Sequence, residues 1–421
     1  MKTRRALISV LITLASLPSC VLSQACRPPS IVSEGRKVVF FTRDEGIRIP
    51  CVATGDRSLT YLWTKNGNPI DTSDFSNGGI NIETGTGTIV IDSPHPSDAG
   101  YYQCHVTNQC GTALSVVSHV IHAFIHPFPP VSQPTVVEAA VGSSVVLTCT
   151  PPRSVPEPSM IWLLIGDDSS SYYHQLVTLD DRVTMDYFGN LYITNVHQDD
   201  SYGVESYACG ATNHFTRSAV LGDDKRLVVR DNGSNTVSPT ALLWSSPSDI
   251  LALKGQEAKM KCIFAGNPLP STSWERIDSQ LDASRTFVDH NELVISDVQS
   301  SDSGVYRCSG LSSLDHHAVR RSFNLVVQSA PEWQSEPADI TATSAGSAQF
   351  ECSAVGIPEP TVQWFINGQP YQNLPDDPNR TLDGNILHFS SLDLSDSQVI
   401  QCNASNIHGY VWANAVLFVQ G

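Results

Sequence analysis

The chain has 421 residues, of which 41% are hydrophobic and 16% charged, with 42 acidic against 25 basic side chains and a formal net charge of −17. That balance argues against nucleic-acid binding, which needs lysine and arginine to neutralise phosphates, and against nonspecific docking on anionic lipid. The length allows two to four domains, and the composition is ordinary for globular β proteins able to bury real cores.

Residues 1–23 read as a secretory signal. Lys2, Arg4 and Arg5 precede an apolar run through Leu17, and Val21 and Ser23 are small residues before a cut ahead of Gln24. Its removal takes away three basic residues, no acidic ones and Cys20, leaving a net charge of −20 and ten cysteines, an even count suited to an oxidising compartment. No later run of eighteen apolar residues and no small-residue site with a hydrophobic tail follows, so no membrane span or lipid anchor is expected. The expectation is a secreted, extracellular protein or the soluble part of a longer one, held at cell surfaces only through a partner.

Four times a cysteine is followed twelve or thirteen residues later by a tryptophan, and further on by a second cysteine. The sets are Cys51, Trp63 and Cys104; Cys149, Trp162 and Cys209; Cys262, Trp274 and Cys308; Cys352, Trp364 and Cys402. In an immunoglobulin sandwich two such cysteines bridge the facing sheets and the tryptophan packs on the sulfurs, so the spacing is a packing requirement. Four occurrences in tandem predict an all-β chain of four I-set-like immunoglobulin sandwiches. Core bridges are expected between Cys51 and Cys104, Cys149 and Cys209, Cys262 and Cys308, and Cys352 and Cys402. Cys26 and Cys110 remain, both in the first domain. A fifth bridge between them is geometrically reasonable, the alternative being two free or intermolecularly paired thiols.

Domain 1 is placed at residues 24–126. Ile47 to Val52 alternates into Cys51, Tyr61 to Thr64 carries Trp63, and Asn66-Gly67 marks a tight hairpin turn. Asp98-Ala-Gly-Tyr-Tyr102-Gln-Cys104 supplies a tyrosine corner, in which a phenol satisfies a backbone group where the chain turns between sheets. Domain 2, residues 127–230, keeps its corner tyrosine, Tyr207, but stretches the corner by an insertion. Residues 231–238 are polar and glycine-containing and read as a flexible linker, long enough for the chain to reverse. Domain 3, residues 239–329, restores the regular corner with Tyr306. Domain 4, residues 330–421, repeats the Asn367-Gly368 turn but has Ile400 where the corner tyrosine belongs. The junctions near 124–130 and 327–333 run almost directly onward.

The chain is identified as resembling the neuroglian and neurofascin group of neural cell adhesion molecules, with their secreted insect relative hemolin. The matching stretches are Asp181-Arg-Val-Thr-Met185, Gly189 to Val196, the long corner ending at Cys209, Ala330-Pro-Glu-Trp333, and Gln401-Cys-Asn-Ala-Ser-Asn-Ile-His-Gly409 through Trp412-Ala-Asn-Ala415. The resemblance implies a horseshoe, with the first domain packed on the fourth and the second on the third. It further implies homophilic or heterophilic contact with cell-surface immunoglobulin-superfamily proteins, in neural adhesion or axon guidance. Charge agrees with that arrangement: domain nets of −2, −7, −2 and −9 set each strongly acidic module against a nearly neutral one. A hemolin-like role in innate immunity is the alternative, and Arg217, Lys225, Arg226 and Arg230 are the best basic cluster for a microbial anionic ligand. A growth-factor decoy is a third.

No enzyme constellation, cofactor loop or metal set is expected. His119, His122 and His126 have suggestive spacing, but on a strand the first two point to opposite faces. Asp98, Asp302 and Asp396 precede the corners and are expected to bind local backbone or an arginine. Sequons at Asn232, Asn379 and Asn403 predict N-linked glycans, with Asn403 facing outward and keeping its surroundings free of protein contact.

Overall fold

The computed structural model describes residues 26–421 apart from residues 57, 71–78, 131–134, 169–170, 202–204 and 232–236. The expected signal segment, Asn232 and the middle of the expected linker therefore lie outside the described residues. The described residues form strands joined by turns and five 3-10 segments, with no α-helix.

The first sandwich shows how the sequence pattern becomes a sheet. Ile47 and Ile49 are buried with Arg48 exposed between them, and Ile89 and Ile91 repeat this alternation on the neighbouring strand. Period-two burial selects a β-strand with one wet face. Strands Ile47–Ile49, Ile89–Ile91 and Ile80–Ile82 make one sheet. Opposite it lie Val38–Phe41, Ser118–His122, Gly100–Asn108, Thr60–Lys65 and Asn68–Pro69. The hairpin at Asn66 and Gly67 uses φ of 52° and 79°, and the corresponding one at Asn367 and Gly368 uses 49° and 76°, the left-handed pair that a two-residue turn needs.

Three further sandwiches follow, each with its own core around a bridged cysteine pair. In all four an early strand runs parallel to the last one: Val38–Phe41 with Ser118–His122, Thr135–Ala140 with Ser218–Arg230, Asp249–Leu253 with Val319–Ser335, and Ile340–Thr343 with Gly409–Gln420. The parallel pair closes the edge of each large sheet.

Two junctions are firmer than a linker. Val319–Ser335 is one strand of 17 residues, whose first part pairs with Gly304–Leu311 and whose last part pairs with Ser353–Ile357 of the fourth sandwich. The expected boundary at 329 and 330 falls inside it. Phe124–Ile125 pairs with Ser154–Val155, so second-domain pairing starts upstream of residue 127. The Phe124 carbonyl accepts hydrogen bonds from Ser154 Oγ at 3.0 Å and Asn213 Nδ2 at 3.3 Å, which ties this short strand down.

Candidate adhesion surfaces

The residues singled out in the sequence fall first into a scaffold. Cys51 is bonded to Cys104, Cys149 to Cys209, Cys262 to Cys308 and Cys352 to Cys402, with Cα separations of 6.1–6.6 Å. Cys26 is bonded to Cys110 at a Cα separation of 5.8 Å, tying the start of the first domain to its last hairpin. Trp63, Trp162 and Trp364 are fully buried, and Trp274 is half-buried against its core. The Trp63 and Trp162 indoles donate to the carbonyls of Gly87 at 2.6 Å and Gly189 at 2.8 Å. Among the described residues those of Trp274 and Trp364 have no acceptor.

Tyr102, Tyr207 and Tyr306 donate their phenols to the carbonyls of Asp98 (2.7 Å), Asp200 (3.1 Å) and Asp302 (2.8 Å). Burial, and then the Asp98 carboxylate, push the Tyr102 phenol far above its ordinary range, so it stays a neutral donor. Asp200 receives Arg182 at 2.7 and 3.0 Å, and Asp302 receives Arg285 at 2.6 and 2.9 Å. These two carboxylates, and those of Asp98 and Asp396, also take the backbone N–H three residues earlier, of His95 for Asp98, His197 for Asp200, Gln299 for Asp302 and Asp393 for Asp396. All four close the short turn before the corner.

The histidines are packed among rings. His119 stacks on Tyr101 with centroids 4.3 Å apart, while His122 lies between Phe41 and Phe124. Burial, then Arg43 and His95, lowers the pKa of His122. His316 and His317 are exposed. Among the described residues one group has metal-like spacing, Cys26, Asp56 and Cys110, and its two sulfurs are spent in the bridge. The basic cluster is divided by strand alternation. Lys225 points inward and is buried, Arg226 and Arg230 lie on the exposed side, and Arg230 pairs with Glu138 at 2.6 Å. Arg217 instead lines a cavity of about 510 Å³ at the first junction with Arg43, His122, Asp44 and Glu45.

Two interdomain contacts, absent from the sequence reading at residue level, hold the horseshoe. Between the first and fourth domains, Gln401 Nε2 donates to the Leu114 carbonyl at 2.8 Å and its Oε1 accepts from the Leu114 N–H at 3.2 Å. The Tyr410 phenol donates to the Val117 carbonyl at 2.9 Å and accepts from its N–H at 3.0 Å. Lys37 donates to the Tyr410 carbonyl and sits 4.7 Å from that ring. Between the second and third, Lys261 Nζ donates to the Met185 carbonyl at 3.0 Å and Tyr187 donates to Glu292 at 2.7 Å. Asn291 Nδ2 reaches the Asp181 carbonyl at 3.0 Å, and Tyr187 meets Trp244 edge-on. In each seam a lysine of a nearly neutral domain reaches a carbonyl of its acidic partner. Desolvation lowers both lysine pKa values, opposed by Glu34 for Lys37 and chiefly by Glu292 for Lys261.

One signal for the first seam was readable. Val399 and Ile400 are consecutive and apolar, and Ala415 to Val419 runs without a polar break, the mark of a strand covered on both faces. Val399 and Gln401 face away from the fourth core yet are 1% and 0% exposed. Asn403 lies on this same face, opposite Trp412 in register and two pairs beyond Gln401. It therefore borders the seam, where an open surface had been expected. Asn379 is exposed on a loop.

Among the surfaces the horseshoe leaves open is the rest of the first domain's outer sheet face. Val38 pairs with His119 and His119 with Tyr101, so all three share a side, and Leu62 joins it through His105. Val38, Tyr101 and Leu62 are exposed, whereas Leu114, on that side too, is covered beside Gly368 of the fourth domain.

Comparison with known proteins adds lineage to this geometry. A model described as immunoglobulin domain matches residues 28–108 and 330–406, and one described as immunoglobulin I-set domain matches residues 243–324. The chain is 30% identical to neurofascin of Gallus gallus over 96% of its length and 32% identical to neuroglian of Drosophila melanogaster over 90%. It spans about 30% of the length of these relatives. Among solved structures it resembles the insect immune protein hemolin, with a TM-score of 0.79 at 22% identity, covering 93% of this chain and 100% of that one. Domains 1–4 of Sidekick-1 give 0.70, also at 22% identity, covering 94% and 100%.

Proposed function

The chain belongs to the immunoglobulin superfamily, and from that premise we propose that it is an extracellular recognition protein whose horseshoe adheres to a second copy or to an immunoglobulin-superfamily receptor. The observation that carries this reading is the exposed face of Val38, Tyr101 and Leu62 beside the first seam. The first seam anchors that sheet through Gln401 and Tyr410, and a preformed face loses little entropy when it docks. Secretion, N-linked glycans at Asn232, Asn379 and Asn403, and a role in axon guidance are part of the same proposal. Kinship with neurofascin and neuroglian favours neural cell surfaces as its setting. The alternative, binding of microbial anionic surfaces, would fall to the cavity of Arg43 and Arg217, where Asp44 and Glu45 offset both cations.

The test is aggregation of cells carrying the chain on a membrane tether, alone and mixed with neural or blood cells. Tethered cells are expected to cluster, and Tyr101→Asp to disperse them by placing a charge on the apolar face. Single cells throughout, with binding to microbes by the soluble chain, would reverse the reading.

A further inference from the structure

The second sandwich differs from the others at its bridge. Tyr207 pairs with Lys225 and Ala208 with Asp224, but Gly210 pairs with Leu221, so Gly222 and Asp223 stand together opposite Cys209. This bulge parts the ladder at the sulfur. On the opposing side the strand Val145–Leu147 stops two residues short of Cys149, which is held by its N–H to Asn190 Oδ1 at 2.9 Å. In the third domain, by contrast, Cys262 lies within the strand Ala258–Asn267. The consequence is an opening of about 360 Å³ lined by Phe128, Cys149, Cys209, Asp223 and Lys225. Cys149 is 9% and Cys209 2% exposed, while the six cysteines of the other core bridges are at 0%.

We propose that the Cys149–Cys209 bridge is a thiol-exchange site, open to extracellular dithiols through this bulge, with Cys149 as the attacked sulfur and Lys225 steadying the departing thiolate of Cys209. A dithiol thiolate bonds to Cys149 Sγ, the Cys149–Cys209 bond breaks, and its electron pair leaves with Cys209. The second thiol of the reagent, once deprotonated, then displaces Cys149. The reagent ends as an intramolecular disulfide, and the two protein thiolates take up the two protons it lost. Lys225 favours the anionic step, and Asp223 on the same wall opposes it.

The full chain is treated with limiting dithiothreitol, quenched with an alkylating agent and mapped by peptide mass. Cys149 and Cys209 are expected to label together, about tenfold or more faster than the other core cysteines, because access limits exchange. Cys26 and Cys110, both half-buried, serve as the surface reference. Lys225→Met is expected to slow labelling of the pair about threefold and Asp223→Asn to speed it by a similar factor, with the reference unchanged. A folding defect would speed both variants. One common rate for all four core bridges, or two variants shifting in the same direction, would overturn the proposal.

Discussion

The tryptophans look interchangeable in the sequence and are not. Trp63 and Trp364 are equally buried, but the indole of Trp63 satisfies the Gly87 carbonyl while that of Trp364 has no acceptor among the described residues. Trp63→Phe strands a buried acceptor, whereas Trp364→Phe removes an unmet donor. The first is expected to cost about 1–2 kcal/mol more, measured as the difference in unfolding free energy of the two sandwiches in denaturant. Charge supplies a second contrast. The Arg285 guanidinium holds the Asp302 carboxyl below its ordinary range. A depressed folded pKa gives stability that is present above the unfolded value and lost as pH falls through the folded one. Arg285→Gln should therefore move the acid unfolding of the third domain to higher pH, followed by circular dichroism. An unchanged acid midpoint would refute that role. The tyrosine at each corner, and its loss at Ile400, was legible because the motif is local. The Trp364 orphan was not, since its missing acceptor depends on how a distant turn is placed.

At the level of elements, alternation was the reliable guide. Strand existence followed from Ile47 to Ile49 and its counterparts, and the Asn-Gly turns announced their own backbone angles. Boundaries were less legible. The strand Val319–Ser335 carries the hydrogen bonds of both domains, and the hand-over, a register shift against Ser353–Ile357 between Ser329 and Glu332, is set by pairing across the sheet and not by the local sequence. Inserting a flexible Gly-Ser pair after Ser329 is expected to uncouple domains 3 and 4 without unfolding either. Interdomain relaxation by NMR would rise while each domain's chemical shifts stay in place, and an unchanged tumbling rate would show that other contacts join them. Alternation also divided the basic cluster of the second domain. Arg217, Lys225, Arg226 and Arg230 are near in sequence, but a period of two sends Lys225 inward and Arg226 outward.

For the whole molecule, the decisive terms are the two seams. Gln401→Ala leaves the Leu114 N–H and carbonyl without their partner at a covered surface, at about 1–3 kcal/mol for each unmet group. Combined with Tyr410→Phe it should open the horseshoe, seen as a larger radius of gyration by small-angle scattering with the four domains still folded. A compact double variant would place the closing energy elsewhere. By itself the sequence determined four sandwiches and the cysteine and tryptophan spacing of each, because these depend on contacts repeated within about a hundred residues of chain, and it left open whether Cys26 meets Cys110. Only the tertiary structure decided where the modules touch. Gln401 meets Leu114 across 287 residues, and no local periodicity constrains a pair so distant in the chain. The same holds for the opened second bridge, since a bulge and a shortened strand become an entrance only where two sheets face each other.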